Sequence, residues 1–579
     1  MNRFSVAALC VLLATGCGEE SAGTDTKGVA AKEVIFVSAS LFIPGDGPPV
    51  ENGIMIIEDG VIKQVGKKDE FYAPRGAARA ELEGMTIAPL LINLHAYPGL
   101  GSLDSFGANN YKRETLSADL NRYGYYGVGA VLAGGDSDGL AMELRDEIRE
   151  GKTTGARLYS SGRGIAAKGS SGHMGNIPFL VSGAADARKA VGDLAERNAD
   201  AIVLWADGMK AEASDAVIDE AHKRKLKVFA HAPGLDEAKN LVKANVDALI
   251  TSVRDRDVDD ELVSMMREKK IPLAPGLTAL ESKFVYAERV PWLSEQAMRE
   301  VYPASVSAYL SEPAVMGRFR RNPQLPAFKQ EFATASSNLK KLADAGVPIV
   351  LGSGSGLADT FPGYFEHREL ELMVNAGMTP LAAITAATSA SAAAIGAEDL
   401  GVLGPGKRGS FVVFASNPLE KISNSRDIDR VFVGGGELDR LEMIRKFKID
   451  RPQVSAADKA NEQALQEQER WEVEDSKLKK YGKFALGPNT LNVAPGLVVQ
   501  TPKRSTASAS AGPPYKVTVQ RKYANGAELQ EFYSKLLPEA RWTPAGECWE
   551  KPNLAQPGKK WRLCAVPGGS SVSLNISVQ

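Results

Sequence analysis

The sequence predicts an α/β protein: a (β/α)8 TIM barrel, β-rich flanks that pair into a small sandwich, and a small C-terminal α+β domain. Three observations predict it. Between residues 86 and 396, short apolar stretches alternate with amphipathic ones. Residues 33–85 and 397–450 read instead as short strands and turns. After residue 450 the composition changes again, first to charged residues and then to a Ser/Ala/Pro-rich run.

The barrel strands are expected at 87–97, 127–134, 156–163, 200–207, 227–233, 247–253, 271–277 and 347–354. Each is a nearly continuous apolar run, as strands covered on both faces require. Between them "GLAMELRDEIREG", "AADARKAVGDLAERN", "SDAVIDEAHKRK" and "LDEAKNLVKAN" carry apolar residues at helical spacing. Asn245 and Gly346 sit just past helix ends, where a left-handed residue is favoured. Thr379-Pro380 reads as N-cap and first helical residue. Eight strand–helix units suggest the barrel, with a helical insertion at about 280–330 in the seventh. Residues 451–514 read as a charged helix (455–480) and a linker; residues 515–579 read as strands around the helix "GAELQEFYSKLL".

The chain has 579 residues, 44% hydrophobic and 24% charged, with a formal net charge of −2. That length implies more than one domain. The near-zero charge gives no basis for nucleic-acid binding, and no phosphate-binding loop or dinucleotide fingerprint is present.

At the N-terminus, Arg3, the apolar run 6–14 and "ATGC" (14–17) form a signal peptide over residues 1–16. The apolar run is far shorter than the roughly 20 residues of a spanning helix. The cleavage site resembles a bacterial lipobox. The resemblance implies lipidation of Cys17, a partner membrane, and, with Gly18 following, an outer-membrane anchor facing the periplasm. An ordinary secretory signal is the alternative. Residues 17–32 are polar, as a tether should be. Export places Cys548 and Cys564 in an oxidising compartment, where a disulfide is expected and two buried thiols are the alternative.

"GIMIIEDGVIKQVG", "MTIAPLLINLHAYPG", "LRDEIREGKTTGARLYSSGRGI", "VIDEAHKRKLKVFAHA", "SVRDRDVDDELV", "HRELELMVNAGMTPLAAITAATSASAAAIG" and "LGVLGPGKRGSFVVFASNPL" resemble the amidohydrolase superfamily. The likeness is to its imidazolonepropionase-like and Xaa-Pro-dipeptidase-like branch, over roughly residues 33–445. It implies a distorted barrel with an auxiliary β-sandwich. For active members it implies metal-dependent hydrolysis of C–N or related bonds. Their ligands are an H-x-H pair, a carboxylated lysine, two single histidines and an aspartate, all at strand ends.

Carried onto this sequence, His95 and His231 match, but Tyr97, Val203, Thr251 and Gly354 stand at the other four positions. Tyrosine is neutral near pH 7, with a reference pKa of about 10. Valine has no amine to carboxylate, threonine offers a neutral hydroxyl, and glycine offers nothing. A catalytic zinc usually needs three protein ligands. Asp207, Asp255 and Asp359 are candidate acids for an unusual single-metal site. His173, Trp205, His95 and His231 are candidate pocket residues. His222 and His367 complete the five histidines and read as a solvated and a structural residue.

The first expectation is therefore a membrane-tethered pseudoenzyme without a cofactor, binding a small ligand or scaffolding a protein partner. The alternative is a zinc-dependent hydrolase of amide-like, cyclic amide or Xaa-Pro dipeptide bonds with a non-standard site. A purely structural envelope lipoprotein is a third reading.

Overall fold

The structure, a computed structural model, describes residues 34–447 apart from 104, 137–138 and 170–176. Beyond 447 it describes the backbones of strands between Gly482 and Val578. Cys17, the tether, His173 and the helices expected at 455–480 and 526–537 lie outside the described residues.

Both flanks join one sheet. Strands β1 (Val34–Phe42), β2 (Val50–Glu58), β3 (Val61–Lys67) and β4 (Ala78–Pro89) come from the N-terminal side. The 411–437 region adds three more strands, so that Phe411–Phe414 pairs antiparallel with β4. The small sandwich expected of the flanks is realised as one seven-stranded mixed sheet.

The central region runs β5 (Leu91–Ala96), α1 (Arg113–Tyr125), β6 (Val128–Ala133), α2 (Leu140–Arg149) and β7 (Arg157–Ser160). Next come β8 (Ile165–Ala167), β9 (Phe179–Val181), α3 (Ala184–Glu196), β10 (Ala201–Trp205) and α4 (Ala211–Lys223). Then follow β11 (Lys227–His231), α5 (Leu235–Lys243), β12 (Ala248–Leu249) and α6 (Asp260–Lys269). All β5–β12 pairings are parallel, in the groups β5-β6-β7 and β12-β11-β10-β8-β9.

Three expected strands shrink. The 247–253 strand keeps two residues, and those at 271–277 and 347–354 survive as the isolated parallel bridges Leu249–Leu273 and Leu273–Ile349. Pro272, Pro275 and Pro348 explain this, because proline has no N–H for a ladder. They still accept: Leu249 N–H bonds the Pro272 carbonyl and Leu273 N–H the Pro348 carbonyl. The expected 156–163 strand stops at Ser160, where Gly162 and Gly164 take left-handed backbone (φ 59° and 68°), and β8 and β9 are added. No ladder joins β7 to β10; Asp200 bridges them, its amide on the Ser160 carbonyl and its carboxylate on the Ser160 N–H.

Helix signals fared well. Asn245 (φ 64°) and Gly346 (φ 80°) follow helix ends in left-handed conformation, and the Thr379 side chain caps Ala382 N–H. The insertion contributes α7 (Leu277–Glu281), α8 (Gln296–Val301), α9 (Ala304–Leu310) and α10 (Pro313–Arg320). It leads into α11 (Leu325–Asp344), and α12 (Tyr364–Asn375) follows the last bridge.

The stretch expected to be linker carries a hairpin, Gly482–Leu486 with Asn489–Val493. A six-stranded sheet runs in the order Val498–Gln500, Lys516–Gln520, Ser571–Val578, Lys560–Gly568, Cys548–Pro552 and Thr543–Ala545. Its register makes Cys548 and Cys564 direct backbone partners; the disulfide expected between them falls on side chains outside the described residues.

One buried carboxylate ties the first central strand to the segment after the last bridge. Glu366 Oε1 accepts Asn93 Nδ2 (2.6 Å), Ser353 Oγ (2.7 Å) and Ser355 Oγ (2.5 Å), and Oε2 accepts Gly363 N–H (2.7 Å). Tyr123 Oη lies 2.7 Å from Ser355 Oγ. Truncating Glu366 to Ala strands several buried donors at once. Urea unfolding should show a loss of at least ~3 kcal/mol, and an unchanged midpoint would refute this role.

Candidate functional site

β5 alternates between faces, and on one of them Asn93, His95 and then Tyr97 follow at every second residue. Asn93 orients this row: its Oδ1 accepts the amide of His95 (3.0 Å) and that of Ser353 (3.2 Å). His95 Nε2 then meets Tyr97 Oη at 2.9 Å. Trp205, the last residue of β10, aims its indole N–H at the same phenol oxygen, at 3.4 Å. His231, the last residue of β11, places its ring centroid 5.6 Å from that of His95. Phe106 closes the other side of Tyr97, ring to ring at 5.7 Å. The structure thus brings His95, Tyr97, Trp205 and His231 together. Val203 is buried two residues before Trp205.

His95 and Tyr97 are neutral here. Burial, helped by the positive charge of Arg254, pulls the His95 pKa down to about 4. Burial pushes Tyr97 up to about 12, against the opposing effect of the Trp205 hydrogen bond. Between pH 5 and 9 neither group carries charge.

At the remaining positions the surroundings have closed in. Thr251 Oγ1 accepts Arg254 Nη1 at 3.0 Å, and Arg254 Nε bonds Glu331 Oε2 at 3.1 Å. Gly354 lies at φ 69°, and a Cβ there would stand 2.7 Å from the Ala279 Cβ. No carboxylate can be hung on that backbone without moving α7. The candidate acids are not gathered here. Asp207 is exposed. Asp255 accepts Leu235 N–H and pairs with Arg256. Asp359 lies 3.7 Å from Arg318. His222 pairs with Asp247 at 2.8 Å, and the buried His367 bridges Ser425 Oγ and the Tyr126 carbonyl.

The residues present do not fit a cation centre. The His95 nitrogen on the cluster side is met by Tyr97. Among the described residues no three His, Cys, Asp or Glu stand close enough to share a metal.

Residues 187–438 match the model of the amidohydrolase family. These residues form an amidohydrolase-family domain. The chain is 24% identical to the ochratoxinase of Aspergillus niger over 456 residues, covering 70% of this chain and 86% of that one. Among solved structures it is similar to a putative prolidase from Bifidobacterium longum, with 25% identity and a TM-score of 0.57. That match covers 74% of this chain and 98% of the prolidase. It is also similar to a Xaa-Pro dipeptidase with methionine bound in its active site, with 22% identity and a TM-score of 0.56. There the match covers 70% of this chain and all (100%) of the dipeptidase.

Asn93, Arg254 and Glu331 escaped the reading by residue type. Only Asn93 had a signal, its place two residues before His95 in an otherwise apolar strand.

Two measurements test this geometry. Gly354→Asp should lower stability by about 2 kcal/mol, through the left-handed backbone and the crowding at Ala279. A neutral effect in thermal unfolding would show that the segment yields freely. The second is pH dependence. His95 and His367 sit near pKa 4 against an ordinary 6.5. Folding favours their neutral form, so stability is full above pH 6.5 and falls toward pH 4, by roughly 3 kcal/mol per ring. Burial pushes the Glu369 carboxyl up to about 7 from 4.5, so its contribution is full below pH 4.5 and fades as pH rises through 7. Denaturation at stepped pH should show the acid-side loss, and Glu369→Gln should remove the alkaline-side one.

Proposed function

We propose that this amidohydrolase works as a binding protein for a small organic ligand, without a hydrolytic metal centre. One observation carries the reading: His95 Nε2 lies 2.9 Å from the Tyr97 hydroxyl, so this ring nitrogen is engaged by a phenol. Hydrolysis needs water converted to a nucleophile near neutral pH, which metal coordination does by lowering its pKa. The neutral His95–Tyr97–Trp205 cluster has no group that does this, and His231 alone does not make a cation site.

The pocket is placed at strand ends of a distorted (β/α)8 barrel. Supporting that, the parallel pairings lead from β5 to β7, across Asp200 to β10–β12, through Leu273 and Ile349, and back by Ser355 to Ala96. The protein reaches its ligand in the periplasm, held to the outer membrane by acylated Cys17, with Cys548 and Cys564 disulfide-bonded. The lipobox-like sequence supports the first, and the cross-strand register supports the second. Mass spectrometry of the mature N-terminal peptide and thiol counting after unfolding test them.

The relatives favour a second reading. Ochratoxinase and a Xaa-Pro dipeptidase are hydrolases, and a zinc-dependent hydrolase of carbon–nitrogen bonds is the activity they suggest. Elemental analysis after mild purification, with assays on Xaa-Pro dipeptides, separates the two. Binding without hydrolysis predicts no stoichiometric zinc and no turnover. Stoichiometric zinc that disappears in both His95→Ala and His231→Ala, together with turnover, would overturn it.

A further inference from the structure

We propose that Arg254 and Lys283 form a seat for the carboxylate of a small organic monoanion beside Thr251 at this same site. The proposal rests on the metal-free reading above and names its ligand class.

Arg254 is held rather than free. Its backbone N–H bonds the Pro233 carbonyl, its Nη1 donates to Thr251, and its Nε donates to Glu331. A guanidinium has five N–H groups in a planar fork, so most of that fork is left for another acceptor. Only 16% of the side chain is exposed, so such an acceptor would be bound with little competing water.

Lys283 comes from the helical insertion and is half-buried. Its Nζ lies over the Phe328 ring, 5.0 Å from the centroid, and no carboxylate among the described residues is within ion-pair reach of it. The two cations lie over neighbouring positions of α11: Lys283 over Phe328 and Arg254 on Glu331, three residues apart on one helix face; the Arg254 charge accordingly depresses the ionisation of Lys283, adding to burial. Arg254 is likewise depressed by burial, with Glu331, Asp207 and Asp255 opposing. Asp207 and Asp255 stand at the exposed rim, and Asp255 is already engaged by Arg256.

Two cations half out of water, with Glu331 as the one carboxylate bonded to either, cost free energy that one more negative charge relieves. A monoanion balances the trio of Arg254, Lys283 and Glu331; a dianion such as phosphate overshoots it. A carboxylate matches the flat edge of a guanidinium, which favours it over a spherical anion. The organic part has apolar surface at hand, since Phe284, next to Lys283, packs against Phe332, next to Glu331, at 5.4 Å.

The test uses the full mature chain after chelation, titrated by calorimetry with propionate, propionamide and inorganic phosphate. Propionate should bind saturably and roughly tenfold more tightly than propionamide, with phosphate weaker than propionate. Lys283→Met, which breaks no hydrogen bond of its side chain, should weaken propionate roughly tenfold at an unchanged unfolding midpoint. Arg254→Lys should abolish the preference for propionate over propionamide. Equal binding of acid and amide, preference for phosphate, no propionate binding, or indifference to Lys283→Met would each overturn the seat. Propionate binding seen only when zinc is restored would instead overturn the metal-free reading on which it rests.

Discussion

The carboxylate of Glu366 is the constraint on which the candidate site depends. It is fully buried, and burial alone pushes its pKa up, so it is tolerated only because donors converge on it. Those donors come from β5, from the Ser353–Ser355 segment and from the start of α12. Their common need for one acceptor draws the first central strand against the Ser353–Ser355 segment. Asn93 carries the constraint onward: its amide nitrogen serves Glu366, and its oxygen takes the His95 and Ser353 amides. The backbone at His95 is thus held from beneath by Asn93.

Above that floor, the proposed site draws its positive charge from side chains, Arg254 and Lys283. Here the ring nitrogen meets a phenol, the strand-end threonine meets a guanidinium, and the glycine at the last position is backed by Ala279. Side-chain cations still attract oxygen anions, but they do not make hydroxide from water. A shared fold transmits the architecture of a pocket, while its chemistry resides in a few side chains.

Much of the fold was legible residue by residue. The helices between central strands announced themselves through apolar spacing, Asn245 and Gly346 through the left-handed turn that ends a helix, and Thr379-Pro380 through capping. The shortened sixth strand and the bridges that stand for the seventh and eighth were less legible. Apolar runs around Pro272, Pro275 and Pro348 look like strands, and only counting N–H donors shows that a ladder cannot form. At the site, the side-chain chemistry of Tyr97, Val203, Thr251 and Gly354 could be read directly. Their charged neighbours could not, because Arg254, Glu331 and Lys283 are ordinary charged residues until folding buries them.

The sequence by itself determined which elements form and which side-chain chemistries are present, since periodicity, caps and residue identity are local properties. Only the tertiary structure decided which of those groups face one another. Contacts such as Asn93 with Glu366, or Arg254 with Glu331, join residues 273 and 77 positions apart. No local pattern encodes such a meeting; it follows from how the whole core packs.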